Sequence, residues 1–203
     1  NLRHPKFLLF WAGKLSKNPL SNAFLQRFVP FKTGSKYTPA MSEQLQTNLS
    51  NSGYFQQVNV NADLSPVTNT RVIPIQVNIT SKPRQQYIFG GGYGTDTGPR
   101  VSAGSNWNYV TDTGHQLMTM ARLSQVQNTA IGKYTIPGNN PLEDQYNINA
   151  SLTTNSISQG NSQIRQVGGG FNHTHNGWQR NFNLSYQIER YSFNNDPYQT
   201  SHL

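Results

Sequence analysis

The chain has 203 residues and a formal net charge of +8, and 34% of its residues are hydrophobic while 11% are aromatic. Its length accommodates one or two domains, and the absence of cysteine excludes disulfides and thiolate metal sites. A low hydrophobic fraction with ample aromatic residues is typical of membrane β-barrels, which need only a short apolar band on their outer surface.

The basic residues are concentrated in the first 83 positions, which contain nine Lys or Arg against two Asp or Glu. No basic run is interleaved with aromatic residues, so we expect no nucleic-acid partner; the charge is also compatible with a position near anionic headgroups. The longest apolar run, Phe7–Ala12, is too short for a membrane-spanning helix. No signal peptide is visible, so we expect that an export signal would lie upstream or have been removed.

Residues 6 to 28 predict a strand followed by a short helix. The segment Lys6–Trp11 is predicted as the first strand because it is almost entirely apolar. Ser21 or Asn22 is a candidate N-cap of a helix that runs to Phe28 and is ended by Pro30.

A second helix is predicted from stronger local signals. Thr38 is its candidate N-cap and Pro39 occupies the first helical position, while Gly53 supplies the C-terminal stop. Apolar residues recur every four positions and therefore share one face: Met41, Leu45 and Leu49.

Two amphipathic strands follow this helix and are joined by a polar turn at residues 65 to 70. The first strand begins at Tyr54 and Phe55, and Pro74 in the second indicates an edge or a bulge. The predicted buried residues of the helices and strands are Met41, Leu45, Leu49, Phe55, Val58, Val60, Ile75 and Val77.

The order strand, helix, helix, strand, strand, together with the sequence Gly53-Tyr54-Phe55 before the first of these strands, resembles a POTRA domain. The similarity extends from Phe24 to Ile79 and includes the loop at residues 28 to 37. It implies that residues 1–83 form the last POTRA domain of a series, located in the periplasm. The alternative is a generic small α+β domain.

From Gln86 onward, polar and apolar residues alternate and predict about seven antiparallel strands without helices. Apolar, aromatic or small residues mark one face of the strands in turn: Tyr87, Phe89, Gly91 and Tyr93; Val101, Ala103, Trp107 and Tyr109; Leu117, Ala121 and Leu123; Ala130, Gly132, Tyr134 and Ile136; Tyr146, Ile148, Ala150 and Leu152; Val167, Gly169 and Phe171; Phe182, Leu184, Tyr186 and Ile188.

The length of these strands favours a membrane barrel over a soluble sheet. A tilted spanning strand needs about nine to eleven residues, and the fifth and seventh segments sustain their alternation over that length. Trp178 lies at one end of the seventh strand and Tyr191 with Phe193 at the other, as interfacial aromatic girdles would. We therefore predict that residues 84–203 form an up-and-down, incomplete barrel; the alternative is a lectin-like or lipocalin-like soluble sheet.

The junction from Tyr87 to Arg100, with Gly-Tyr-Gly-Thr-Asp-x-Gly-Pro-Arg, is similar to the start of the barrel in the TamA family (translocation and assembly module), within the BamA superfamily. Similar motifs recur in order at Gly114-His115, Leu123-Ser124, and residues 134–137 and 140–144. Proteins of this family carry several POTRA domains and a larger barrel. We therefore expect that the chain is a fragment, because seven strands cannot close such a barrel and an open edge in lipid is costly.

The resemblance also implies a function and partners. It implies an outer-membrane factor that helps insert β-barrel or autotransporter proteins, or that supports lipid transport. The implied partners are the outer-membrane bilayer, unfolded β-barrel clients and an inner-membrane protein resembling TamB, and no cofactor is implied.

The first barrel strand of this superfamily pairs weakly with the last and forms a lateral seam, to which a client strand could add by β-augmentation. Glycine weakens strands through backbone entropy and missing cross-strand contacts, so the glycines fit this role, although they could instead permit strand curvature. The resemblance assigns the seam to Tyr87, Phe89, Gly90, Gly91, Gly92, Tyr93 and Gly94.

The residues give little support for catalysis or for a metal site. His173 and His175 share a strand face, but no carboxylate is near them in sequence, which favours a polar strand end over a metal site. The run Gly90–Gly94 is not followed by a helix N-terminus, which excludes a phosphate-binding loop. We expect no enzyme activity.

Three alternatives to an assembly factor remain. A two-partner secretion transporter would also combine POTRA domains with a barrel, although a plug helix should precede them. A passive porin-like channel would not need the POTRA domain. A soluble β-sheet binding protein is the distant alternative.

Overall fold

The computed structural model describes residues 6–11, 19–32, 35–63, 72–95, 98–157, 160–175, 177–193 and 198–202. The chain divides into two compact units. Unit 1 comprises residues 1–83 with the short segments Thr111–Gly114 and Asn139–Leu142, and unit 2 comprises Arg84–Val110, His115–Gly138 and Glu143–Leu203. Within the described ranges, no helix is long and apolar enough to cross a bilayer.

Unit 1 has the predicted order of elements: β1 Lys6–Trp11, α1 Asn22–Gln26, α2 Pro39–Asn51, β2 Phe55–Ala62 and β3 Val72–Ser81. The three strands form one sheet in the order β1-β3-β2, in which β1 is parallel and β2 antiparallel to β3. The predicted polar turn at residues 65–70 lies outside the described residues.

The two helices begin where their capping residues predict, but α1 is shorter than expected. The Ser21 hydroxyl accepts a hydrogen bond from the Phe24 amide at 3.3 Å and caps α1. The helix ends at Gln26 rather than Phe28, because the amides of Arg27 and Phe28 donate to carbonyls three residues back, as in a tightened last turn. Thr38 precedes Pro39 at the start of α2 without a side-chain cap bond, and Gly53 follows the helix with φ 83°.

The core of unit 1 lies between the helices and the sheet. Six of the predicted core residues are buried, namely Leu45, Leu49, Phe55, Val60, Ile75 and Val77, whereas Met41 and Val58 are half-buried. A second set of buried residues is not part of the four-residue repeat of α2. Two of them lie in α1, two flank it and two lie near or in the strands: Phe24 and Leu25, Leu20 and Phe28, and Tyr54 and Ile73.

Phe24, Phe28 and Tyr54 form an aromatic cluster that incorporates the segment Thr111–Gly114. The three rings pack edge to face with centroids 5.3 to 6.3 Å apart. The Tyr54 hydroxyl donates a buried hydrogen bond of 2.6 Å to the carbonyl of Gly114, and the Ser21 amide donates to the carbonyl of Asp112 at 2.9 Å. Burial raises the pKa of the Tyr54 hydroxyl well above its ordinary value.

Unit 2 is one antiparallel sheet of eight described strands: β4 Gln85–Gly94, β5 Gly98–Trp107, β6 Gln116–Ser124, β7 Gln127–Pro137, β8 Asp144–Ile157, β9 Gly160–His175, β10 Trp178–Phe193 and β11 Gln199–His202. Each strand pairs with its neighbours in sequence, and the sheet runs from β4 at one edge to β11 at the other without closing. The seven predicted strands are β4 to β10. The eighth, β11, has only four residues and no sustained alternation.

The two faces of the sheet differ in chemistry. Strand register aligns the predicted apolar residues on one face, which we call the apolar face. Tyr109 is an exception, because β5 ends at Trp107 and the Tyr109 side chain is buried. The opposite, polar face is rich in amide side chains, among them Asn147, Asn149, Gln166 and Asn183. Glycines on this face make room for them, since a Cβ at Gly170 would collide with the side chain of Asn183.

Candidate functional site

The seven predicted seam residues all lie on β4, the strand at one edge of the sheet. Among the described strands, β4 pairs only with β5, along its whole length from residue 85 to residue 94. Alternation places Tyr87, Phe89, Gly91 and Tyr93 on the apolar face and Gly90, Gly92 and Gly94 on the polar face. The three aromatic side chains are largely exposed, Phe89 by 79%.

The glycines of β4 differ in their surroundings. A Cβ at Gly90 would stand 2.7 Å from the Ser102 hydroxyl oxygen, so a larger residue requires that hydroxyl to rotate away. At Gly92 the nearest atoms are Cγ and Nε of Arg100, at 3.8 and 3.9 Å, which is ordinary contact. The polar face of β4 therefore has no side chains at Gly90 and Gly92. The nearest side chains to these two positions belong to β5, namely Ser102 and Arg100.

The apolar face is exposed across all the long strands. Large apolar side chains stand on it from β4 to β10, and the most exposed is Leu184 at 83%. Cross-strand rows of the register join them, for example Tyr134, Ile148 and Leu184 with Gly169 between the last two. A contiguous exposed apolar surface of this kind requires a nonaqueous environment or a partner.

Arginines mark both ends of the apolar face on β10. Arg180 and Arg190 share this face and stand ten residues apart, with Phe182, Leu184, Tyr186 and Ile188 between them. Ten strand residues span about 33 Å, which corresponds to about 25 Å along the normal of a membrane for a strand tilted by about 40°. That height is typical of the apolar band of membrane β-barrels, and arginine side chains at the borders of such bands can reach lipid headgroups.

Aromatic and titratable side chains meet at the Arg180 end of the apolar face. Tyr146 and Phe171 stack with centroids 4.7 Å apart, and the rings of His173 and His175 continue the stack along β9. The register places Trp178 opposite His175. This arrangement is typical of an interfacial belt, where amphipathic rings lie at the headgroup level.

His173 and His175 each lie close to a carboxylate that is distant from them in sequence. His173 Nδ1 lies 2.6 Å from Asp144 Oδ1, and His175 Nδ1 lies 3.6 Å from Glu143 Oε2. The register of β8 and β9 sets Asp144 opposite His173, a pairing that separation in sequence did not reveal. In the described part of the chain, no group of three or more His, Cys, Asp or Glu side chains is arranged to hold a metal ion. Of the two pairs, only His173 and Asp144 are within hydrogen-bond distance, and both pairs lie at the polar end of their strands.

Comparison with known proteins relates both units to established folds. Residues 15–82 match the family model of POTRA, described as a surface antigen variable number repeat. The chain is structurally similar to BamA from Haemophilus ducreyi lacking POTRA domains 1–3, with a TM-score of 0.71 and 13% sequence identity over 92% of this chain and 36% of that one. It is also similar to CdiB from Acinetobacter baumannii, with a TM-score of 0.60 and 12% identity over 95% of this chain and 39% of that one.

These similarities establish the fold. Unit 1 contains a POTRA domain, and unit 2 resembles part of the BamA barrel. The predicted fold class, a POTRA domain followed by antiparallel barrel strands that do not close, is confirmed. The chain spans less than two fifths of either structure that it matches.

Proposed function

We propose that this chain is the POTRA-to-barrel region of a TamA-like assembly factor in a bacterial outer membrane. Its POTRA domain faces the periplasm and its apolar sheet face contacts lipid. The β4 edge accepts strands of unfolded β-barrel or autotransporter clients by β-augmentation. The role is one of binding and templating, which needs neither a cofactor nor a catalytic group.

The observation that carries this proposal is a glycine-rich edge strand that follows a POTRA domain within a few residues. β3 of the POTRA domain ends at Ser81 and β4 begins at Gln85. Gly90, Gly92 and Gly94 leave the second half of the polar face of β4 without side chains, so cross-strand side-chain pairs with β5 are missing at these three positions. An edge strand with weak side-chain pairing is suited to exchange one partner for another.

The apolar face supports the location in a membrane. Its exposed residues and the bordering arginines fit a band of about 25 Å, while the polar face suits the wet interior of a barrel. A soluble β-sheet protein would cover the apolar face with a second layer. In the described residues no such layer covers it, since Leu184 and Phe182 are mostly exposed.

Partners can also add to the POTRA domain. β1 and β2 are the two edges of its sheet, and β2 pairs only with β3 among the described strands. The Val60 amide of β2 already donates to the Gln46 side-chain oxygen at 3.4 Å, and we propose that a peptide or a neighbouring protein pairs with other backbone groups of these two edges. We propose that an inner-membrane protein resembling TamB is one such partner.

A two-partner secretion transporter is the second candidate, and the structural similarity to CdiB favours it at the level of fold. Such a transporter would pass an unfolded client along the polar face, whereas an assembly factor would release it into lipid through the β4 edge. A passive porin-like channel explains neither the POTRA domain nor the glycine-rich edge.

Heat-modifiable gel migration tests the membrane proposal. The full-length gene product and the 203-residue chain are refolded into liposomes and run with and without boiling. We expect a heat-sensitive shift for the full-length protein, because a closed barrel resists the detergent, and none for the shorter chain. A chain that stays monodisperse and unfolds cooperatively without detergent contradicts the membrane proposal.

Client assays in the same liposomes separate the two candidate functions. An assembly factor should accelerate the appearance of an unfolded β-barrel client in its heat-modifiable, membrane-inserted form. A secretion transporter should instead deliver a client to the vesicle lumen, where it is protected from protease but extracted by carbonate. Delivery to the lumen without insertion contradicts the assembly proposal.

A further inference from the structure

The bare polar face of β4 adjoins two arginines. Arg100 on β5 is the register partner of Gly92, and Arg122 on β6 is the partner of Ser102 in the next row. The side chain of Arg100 extends along Gly92, with its Nε 3.9 Å from the position where a Cβ of residue 92 would stand. The guanidinium group of Arg100 is therefore next to the strand that forms the edge, with no β4 side chain between it and the open side.

Positive charge dominates this part of the polar face. Arg100 and Arg122 lie on the adjacent strands β5 and β6, in the rows of Gly92 and Gly90, and both side chains are exposed. Lys133 on β7 is also exposed on this face but lies farther away, in the row of Gln86. In the described part of the chain, none of them forms an ion pair with a carboxylate. Among the described strand residues, the acidic side chain on this face is that of Glu189, which stands on β10 at the other side of the sheet. Within the described ranges, no carboxylate neutralises Arg100 and Arg122, so this part of the polar face attracts anions.

A strand that adds to β4 would bring its own side chains close to this charge. Neighbouring strands are about 4.8 Å apart, so the residue opposite Gly92 would lie about 10 Å from the Cα of Arg100. An ordinary side chain at residue 92 would fill the space between them. Because residue 92 is glycine, a glutamate of the added strand and the Arg100 guanidinium can extend toward each other and meet over β4.

We propose that the β4 edge selects client strands with an acidic side chain at the polar-face position opposite Gly92, which pairs with Arg100 across the bare edge strand. The proposal rests on the proposed β-augmentation at β4 and adds a criterion of selection to it. Gly92 then has a second role in addition to weakening the seam. Because it has no side chain, Arg100 on β5 can interact with the acidic residue of the client strand across β4.

Cysteine trapping can test this pairing in a fixed register. The chain contains no cysteine, so Ile88→Cys on the polar face of β4 introduces a single thiol into this region. The probe is a synthetic peptide of about ten residues with alternating apolar and polar positions, and with a cysteine placed four residues after either Glu or Gln. When its cysteine pairs antiparallel with residue 88, the Glu or Gln stands opposite Gly92.

The measurement is the rate of disulfide formation by each peptide with the full-length protein in phosphatidylcholine vesicles, with the same excess of oxidised glutathione as the electron acceptor in every sample. We expect the Glu peptide to react about two- to fivefold faster than the Gln peptide at low salt, the size of an exposed ion pair. Because exposed charges are screened, the ratio should approach one at about 1 M salt. Arg100→Gln should abolish the preference.

Two further variants distinguish an ion pair formed across Gly92 from a general effect of the positive charge on this face. Gly92→Val keeps Arg100 but fills the space above β4, so the preference should be lost although the net charge is unchanged. Lys133→Gln removes a charge from the same face two strands beyond β5, and the preference should remain. Gel migration of the unboiled sample, compared with the boiled one, verifies that each variant has folded.

Several results would overturn the proposal. A ratio near one in the parent protein, with efficient trapping of both peptides, leaves β-augmentation intact and contradicts selection by charge. A preference that survives Arg100→Gln contradicts the assigned residue. If Arg100→Gln slows both peptides equally, Arg100 supports the β4 edge in general and does not recognise an acidic side chain, which also contradicts the proposal. Failure of both peptides to react contradicts the proposed function together with this inference.

Discussion

Gly114 is held by two independent constraints, its backbone conformation and its neighbour. Its φ is 79°, and a Cβ at this position would collide with the Phe24 ring. Gly53 has nearly the same conformation, with φ 83°, but nothing within 4 Å of its Cβ position. The two residues of unit 1 therefore separate the cost of a left-handed conformation from the cost of a steric clash.

Gly114→Ala should destabilise unit 1 by about 2 to 4 kcal/mol, as strain from the left-handed conformation adds to overpacking against Phe24. Gly53→Ala should cost only about 1 kcal/mol. Hydrogen exchange of the α1 and α2 amides in the reconstituted protein measures both values. Equal losses in the two variants would show that the Phe24 ring moves aside freely.

Tyr54 couples the stability of unit 1 to pH through its buried hydroxyl. Tyr54→Phe leaves the Gly114 carbonyl without its donor and should cost about 1 to 2 kcal/mol at neutral pH. Burial holds the folded-state pKa above the ordinary value of 10.0, so folding disfavours the ionised form. The contribution of this residue is present below pH 10 and declines as the pH rises above it. Hydrogen exchange near pH 10 and above should show this decline in the parent and not in Tyr54→Phe.

At the scale of elements, the sequence contained most of the information about strands and little about their mutual register. Period-two alternation predicted β4 to β10, and the sequence Thr38-Pro39 with Gly53 predicted the limits of α2. The contacts of His173 with Asp144 and of Arg100 with Gly92 join different strands, so they depend on register. Register is determined by turn geometry and by the pairing of whole strands, which one strand's pattern does not contain.

The first helix illustrates a second limit of the sequence. α1 has only five residues, and two of its buried side chains, Phe24 and Leu25, are consecutive. A segment of five residues is too short to show a helical period. The burial of two consecutive side chains, which lie on different sides of the helix, could therefore not be recognised from the sequence. Tyr54 was assigned to the start of a strand, and its buried contact with Gly114 involves a partner 60 residues away.

The edge strand β4 gives a direct test of the weak seam. Replacing Gly90 and Gly92 with valine should strengthen β4 by about 0.5 to 1 kcal/mol per site, and client insertion should slow about five- to thirtyfold. The Ser102 hydroxyl must rotate to admit the side chain at residue 90, and residue 92 has room. The rate of client insertion into liposomes is the measurement.

Gly132→Val is the matched control, because this glycine lies within β7 and has nothing within 4 Å of its Cβ position. It should leave the insertion rate nearly unchanged. Unaltered kinetics in the Gly90 and Gly92 double variant, with a correctly folded barrel, would show that these glycines serve curvature instead.

At the scale of the whole molecule, two adjacent residues of β10 distinguish a lipid-facing from an interior surface. Leu184 stands in the middle of the apolar face, whereas Ser185 points to the polar face. Leu184→Arg should destabilise the membrane-inserted protein by about 2 to 4 kcal/mol, because an arginine would lie near the bilayer midplane. Ser185→Arg should cost less than about 1 kcal/mol. Urea titration of the heat-modifiable form in liposomes gives both values, and equal costs would contradict lipid contact at Leu184.

The neighbour-to-neighbour order of the eight-stranded sheet has a consequence for how such a sheet changes in evolution. No strand from β4 to β11 is inserted between two others that are adjacent in sequence, so each hairpin closes a short loop and can nucleate by itself. Gain or loss of one hairpin would leave the pairing of all the others unaltered. Members of one lineage can therefore differ in strand number, and in the width of the space that they enclose, by duplicating or deleting single hairpins.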